Sequence, residues 1–183
     1  MKRQIRCSVF ETNSSSTHSI AISKKPVVPN RAVHFGIGEF GWANDVVSIE
    51  DYLYTAILIQ DNAEELLEKL KDILDKSSIT YIFEEPRYEK YTWCDDKFLA
   101  NGYIDHGYET IDFILAVLND EDLLMRCLFG DSCVYTGNDN QEHDPSGCDI
   151  AATHYWTNEN GKYVEKPNPY HDSENYDYFM KGN

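Results

Sequence analysis

Positive charge is scarce in this sequence. Sixteen Lys and Arg stand against 32 Asp and Glu in 183 residues, a formal net charge of −16 with the six histidines neutral. A chain so short of cations repels phosphate backbones at long range, so its main surface is not built to grip nucleic acid. Long hydrophobic runs are missing as well. No apolar stretch approaches the roughly 20 residues of a membrane span. The basic start Met1-Lys2-Arg3-Gln4-Ile5-Arg6-Cys7-Ser8 has no apolar block behind it to make a signal peptide, so a cytoplasmic protein without membrane contact is expected. The five cysteines, odd in number and without tight spacing, fit reduced thiols rather than a disulfide framework. There is no internal repeat, no heptad series and no clean linker.

What is present is enough to fold. With 42% hydrophobic and 13% aromatic residues, the chain has far more to bury than a disordered acidic tail, and its length suits one domain over residues 1–183. The charge is unevenly spread. Residues 1–31 hold Lys2, Arg3, Arg6, Lys24, Lys25 and Arg31 against only Glu11, a net +5, whereas residues 32–137 carry −15 and residues 138–183 carry −6. Two readings stand side by side: the basic edge pairs with acids of the body, or the body presents a negative face that competes for a basic groove.

Residues 5–10 and 18–23 read as strands, the second through the alternation of Ile20 and Ile22 with small or polar residues. Residues 32–35 predict a third strand, closed by Gly36, Gly38 and Gly41. Ser48 with Asp51 predicts a helix start, followed by Ile49, Leu53, Ala56 and Ile57 on one side. Asn62 is placed to cap a second helix whose stripe is Leu66, Leu67, Leu70, Ile73 and Leu74, with acids early and lysines late as the helix dipole prefers. Residues 79–83 predict a buried strand paired with residues 88–93 across a turn at Pro86. Ile111, Ile114, Leu115 and Leu118 mark a third helix. Asp120 caps a fourth with Leu123, Leu124, Cys127 and Leu128 inward and Gly130 at its end. Residues 132–136 read as a strand. From about residue 138 the Asn, Asp, Gly and Pro content predicts an irregular aromatic and acidic segment with free final residues. The fold expected is α+β, a mainly antiparallel sheet packed against three or four helices.

Four constellations bear on chemistry. Ser14, Ser15 and Ser16 with His18 supply a nucleophile and base for a hydrolase or transferase acting on a phosphate-bearing substrate, or, with Arg3 and Arg6, an anion or nucleic-acid contact. No Gly-x-Ser-x-Gly elbow frames them, and a hydroxyl-rich turn satisfies the same residues. Cys127, Cys133, His143, Cys148 and His154 lack the close spacing of a zinc knuckle, so neither metal nor cofactor is expected. Gly36-Ile37-Gly38-Glu39-Phe40-Gly41 spells a dinucleotide-type string without the helix opening that such a site needs, and reads as a turn cluster. Finally, the acids Glu84, Glu85, Asp95, Asp96, Asp120, Glu121 and Asp122, the first four interleaved with Tyr and Trp, form candidate partner-binding surface: carboxylates stand where phosphates would, and aromatics pack on guanidinium planes.

The block Arg6, then Val9-Phe10-Glu11-Thr12-Asn13-Ser14-Ser15-Ser16-Thr17-His18-Ser19, resembles the start of small proteins carried by phages and mobile elements of gut Firmicutes. In length and acidity the whole chain resembles anti-CRISPR proteins that inhibit type II-A Cas9. The resemblance implies a non-enzymatic inhibitor in a bacterial host cell that binds the Cas9 and guide-RNA complex and blocks target DNA engagement or cleavage. The basic N-terminal segment adds a route to direct DNA or RNA contact. Oligomeric state is left open by the sequence.

Overall fold

Strand β1 (Ser16–Ser23) is the segment on which the sheet is assembled. The computed structural model describes residues 16–41, 45–92, 96–138 and 150–182. After β1 come the short strands β2 (Val33–Phe35), β3 (Glu39–Phe40) and β4 (Asp45–Val47). Helices α1 (Ile49–Leu58) and α2 (Ala63–Lys76) follow. Four more short strands lie beyond them, β5 (Tyr81–Phe83), β6 (Tyr88–Lys90), β7 (Lys97–Leu99) and β8 (Tyr103–Ile104). A 3-10 turn (Gly107–Thr110) leads into α3 (Ile111–Asn119) and α4 (Glu121–Phe129). The chain ends with β9 (Cys133–Asn138), β10 (His154–Glu159), β11 (Lys162–Pro167) and β12 (Tyr176–Gly182). The fold is α+β.

The main sheet has the order β12-β1-β9-β4 and is antiparallel throughout. Residues 18–23 of β1 are buried without interruption, so this strand is covered on both faces as well as paired on both edges. Helix α1 lies in the core: Tyr52, Leu53, Tyr54, Ala56 and Ile57 are buried, and the Tyr52 ring meets those of Phe40 and Phe113. Ser48 caps this helix, its Oγ accepting the Asp51 N–H at 3.3 Å. Helix α2 is amphipathic, with Leu66, Leu70 and Leu74 buried. Asp120 ends α3 and opens α4, its extended backbone letting Oδ1 accept the Leu123 N–H at 3.1 Å. No helix among the described residues is long and apolar enough to cross a membrane.

Three expectations are corrected, and one falls outside the described residues, the strand at 5–10. Asn62 occupies the N-cap position of α2, but its ψ of 33° is far from the extended value of a capping residue and its side chain makes no capping bond. The 79–83 strand does not fold back on residues 88–93. Strand β5 instead pairs in parallel with β2, and Ile82 is exposed. The Tyr54 hydroxyl donates to the Glu84 carbonyl at 2.9 Å and the Glu84 carboxylate accepts the Ile37 N–H at 2.9 Å, so the chain is held against α1 and β2 where a hairpin would have to turn. Strand β6 then pairs with β7.

The third correction concerns the end of the chain, where three strands, β10, β11 and β12, stand among the described residues. Strands β10 and β11 form a hairpin whose two-residue loop, Asn160 and Gly161, has positive φ at both positions (54° and 79°), the backbone that matches strand twist. The Asn158 side chain accepts the Gly161 N–H at 2.9 Å. Strand β12 closes the outer edge of β1, and Arg126 of α4 holds it there. Its guanidinium donates to the Ser23 carbonyl at 2.6 Å, to Asp177 at 2.7 Å and to Asp122 at 2.8 Å. The Arg126 side chain is 11% exposed, while Asp122 and Asp177 retain water. Replacing Arg126 by Ala leaves the two carboxylates hydrated but orphans a buried carbonyl. The expected loss is about 2–3 kcal/mol, read as a lower urea midpoint. Arg126→Lys recovers part of it. An unchanged midpoint in Arg126→Ala means β12 is held by backbone pairing alone.

Candidate functional site

Where α1 gives way to α2, the chain turns through Ile59, Gln60, Asp61 and Asn62, and the first turns of α2 project Glu64, Glu65 and Glu68 away from the buried Leu66–Leu70–Leu74 stripe. Facing them is the β6–β7 hairpin. Its register sets Tyr88 opposite Leu99 and Glu89 opposite Phe98. The Tyr91 ring lies on Phe98 with centroids 4.6 Å apart, and the Tyr88 hydroxyl reaches the Leu58 carbonyl at 3.4 Å. Between the two walls runs a groove of about 920 Å³. Its lining carries the carboxylates of Asp61, Glu64, Glu65, Glu68 and Asp96 and the rings of Tyr88, Tyr91 and Phe98, with Lys97 as its one cation among the described residues. Acids and planar rings around a concave surface are complementary to lysine and arginine side chains.

Two tyrosine hydroxyls keep their protons to higher pH, Tyr54 in the core and Tyr88 in the groove lining. Burial first, then Tyr88, Glu84 and Glu85, pushes Tyr54 from its ordinary value of 10.0 up to about 12. Tyr88 is raised by burial and then by Glu64. Tyrosinate is disfavoured here because it would add another negative charge to a partly dry, acidic corner.

The candidate acids fall into three groups. Asp96 lies in the groove, and Asp95 lies outside the described residues. Glu84 and Glu85 adjoin it through Pro86, but Glu84 also has structural work: it accepts the Ile37 N–H, with the Asn101 amide at 3.4 Å from its other oxygen. Asp120, Glu121 and Asp122 lie elsewhere. Asp120 caps α4, Glu121 accepts from the Ser77 hydroxyl at 2.8 Å and Asp122 pairs with Arg126. None of the three belongs to the groove lining, and Ser77 follows the last turn of α2, beyond the end at which Glu64 and Glu65 stand. Asp61, Glu64, Glu65 and Glu68 were not singled out by sequence reasoning. The available signal was the i,i+4 spacing of Glu64 and Glu68 opposite the leucine stripe.

The other candidates sit in different surroundings. Arg3, Arg6, Ser14 and Ser15 lie outside the described residues, and Ser16 begins β1. His18 is 2% exposed, its ring 5.8 Å from that of Tyr52, in the middle of the core rather than in a cleft. The described bases of the N-terminal segment meet the body: Arg31 pairs with Glu50, Lys25 with Asp131 at 3.5 Å, and Lys24 donates to the Ser173 carbonyl at 2.6 Å. Burial, and then Glu50, pushes the Cys127 thiol far up, and burial raises Cys133, so neither offers a thiolate at neutral pH. His154 is exposed on β10, beside the Thr153 hydroxyl at 3.0 Å; His143 and Cys148 are outside the described residues. Among the described residues no group of three or more His, Cys, Asp and Glu is placed to hold a metal.

Comparison with family models, with curated proteins and with solved structures finds no match for this chain. The groove's chemistry is therefore read from its own residues. Because the folded state holds the Tyr54 proton more tightly than the unfolded chain does, this contribution to stability is complete below pH 10 and is lost as pH rises toward 12. Urea midpoints measured across that window are expected to fall. Tyr54→Phe, which starts about 1 kcal/mol less stable for want of its hydrogen bond, is expected to fall less steeply. Parallel slopes in the two proteins would contradict the assignment.

Proposed function

We propose that this chain is a binding protein, not an enzyme, and that it acts as an inhibitor by seating its acidic groove face on the basic channel of a nucleic-acid enzyme. The partner we propose is Cas9 loaded with guide RNA. Such a channel is lined by Lys and Arg that hold the heteroduplex and the displaced strand. Carboxylates presented there compete with phosphate for the same cations. The observation that carries this reading is the convergence of Asp61, Glu64, Glu65, Glu68 and Asp96 on one aromatic-lined groove of a chain with a net charge of −16. Glu84 and Glu85 precede Pro86 of the groove lining and would add to the same negative surface. The resemblance of the whole chain, in length and acidity, to anti-CRISPR proteins supplies the choice of partner. An enzymatic use of His18 gains no support from a ring buried in the core.

The test is binding to Cas9 with and without guide RNA, followed through a salt series. Affinity is expected for the RNA-loaded form, falling as ionic strength rises. Glu64→Lys/Glu68→Lys reverses two groove charges and leaves the leucine stripe intact; at least a tenfold loss is expected, with only about 1 kcal/mol lost from the helix dipole. Asp72→Lys/Glu174→Lys changes net charge equally at positions off the groove and is the control. Equal losses in both variants would show that overall charge, not the groove, carries binding. No binding to either form of Cas9 would remove that partner.

A further inference from the structure

The β10–β11 hairpin stands apart from the main sheet. Its strands pair only with each other among the described residues, and two large aromatics on it are exposed, Trp156 at 52% and Tyr163 at 60%. Register decides which residues share a face, since directly opposed residues point the same way. Trp156 lies opposite Glu165, Asn158 opposite Tyr163 and His154 opposite Pro167, so these six form one face. Trp156 and Tyr163 are diagonal neighbours on it, roughly 7–8 Å apart. The other face carries Tyr155, Thr157 and both lysines of the hairpin, with Lys166 paired to Glu159. The alternation of exposed and half-buried residues along 154–157 agrees with this division.

The hairpin thus sorts its chemistry: lysines on one side, and on the other two exposed rings with a carboxylate and neither Lys nor Arg. From this juxtaposition we infer that the Trp156 face is an arginine-recognition surface for a partner protein. A guanidinium stacks flat on the Trp156 ring while its fork of N–H donors meets the Glu165 carboxylate. A lysine ammonium matches the charge but not the plane. The positive φ values at Asn160 and Gly161 set the strands before a partner arrives, so little ordering remains to oppose binding. A nucleic-acid strand can stack bases on the same rings, but its phosphates would meet Glu165 without a cation on that face. A second copy would set one Glu165 toward another. The surface is separate from the groove, and the inference holds whether or not the groove engages Cas9.

The experiment titrates the full chain carrying Glu64→Lys/Glu68→Lys, which weakens cation binding at the groove, with a short arginine-rich peptide and with its lysine counterpart of equal length and charge, at moderate salt. The arginine peptide is expected to bind about threefold to fivefold more tightly, the size of an exposed cation–π contact. Trp156→Ala/Tyr163→Ala is expected to abolish the preference while leaving lysine-peptide affinity unchanged. Glu165→Gln is expected to weaken the arginine peptide. These side chains are exposed, so unchanged urea midpoints will establish that the variants fold. Equal affinity of the two peptides, or a preference that survives the double substitution, overturns the inference. Tighter binding of an oligothymidine that depends on Trp156 overturns it in favour of nucleic acid. Self-association lost in Trp156→Ala overturns it in favour of a second copy.

Discussion

A strand buried on both faces and paired on both edges has no freedom of register, and β1 is such a strand. Sliding it by one residue would exchange Ile20 and Ile22 for Ser19 and Ala21 and break two ladders at once. This constraint places the rest. The β9 edge brings in β4 and, directly after it, α1; the β12 edge draws in the end of the chain. Arg126 crosses from α4 to the Ser23 carbonyl and Asp177, so one helix is tied to the central strand and to its outer neighbour. The ion pairs to exposed carboxylates contribute less than the satisfaction of that buried carbonyl.

From this frame the acidic surfaces follow as consequences of helix placement. Helix α2 buries its leucines against the core, so its glutamates must face outward. The β6–β7 hairpin lies across from them because Glu84 and Tyr54 prevent the chain from folding back on β5. Two features that are separate in sequence, the glutamates near 64 and the aromatic run near 90, therefore form one groove. The β10–β11 hairpin also has unlike faces, with both lysines on the side of half-buried Tyr155 and Thr157 and the exposed rings with Glu165 on the other.

Much of the fold was legible locally. Ser48 and Asp120 were readable as caps, since a short polar side chain before an apolar series satisfies the first free amides of a helix. The helical stripes and the 18–23 strand were readable from their periods. The Asn160-Gly161 turn was readable too, and the composition of the surrounding segment masked it: a run rich in Asn, Gly and Pro reads as irregular unless the one dipeptide that favours a hairpin is weighed by itself. Of the candidate acids, Asp96 lies in the groove and Glu84 and Glu85 flank it. Asp120 and Asp122 serve α4, as its cap and as the partner of Arg126, while Glu121 accepts from Ser77 at the end of α2.

Local choices, then, could be read without knowing any distant contact: net charge, the helices with their stripes, the caps at Ser48 and Asp120, and the strand at residues 18–23. Each depends on neighbours within about four residues, the range over which helix and turn energetics operate. Which strands pair, which acids share a groove and which rings stay exposed were decided only by the tertiary structure. Those outcomes depend on contacts between residues tens of positions apart, and no local preference distinguishes a glutamate that caps a helix from one that faces a partner.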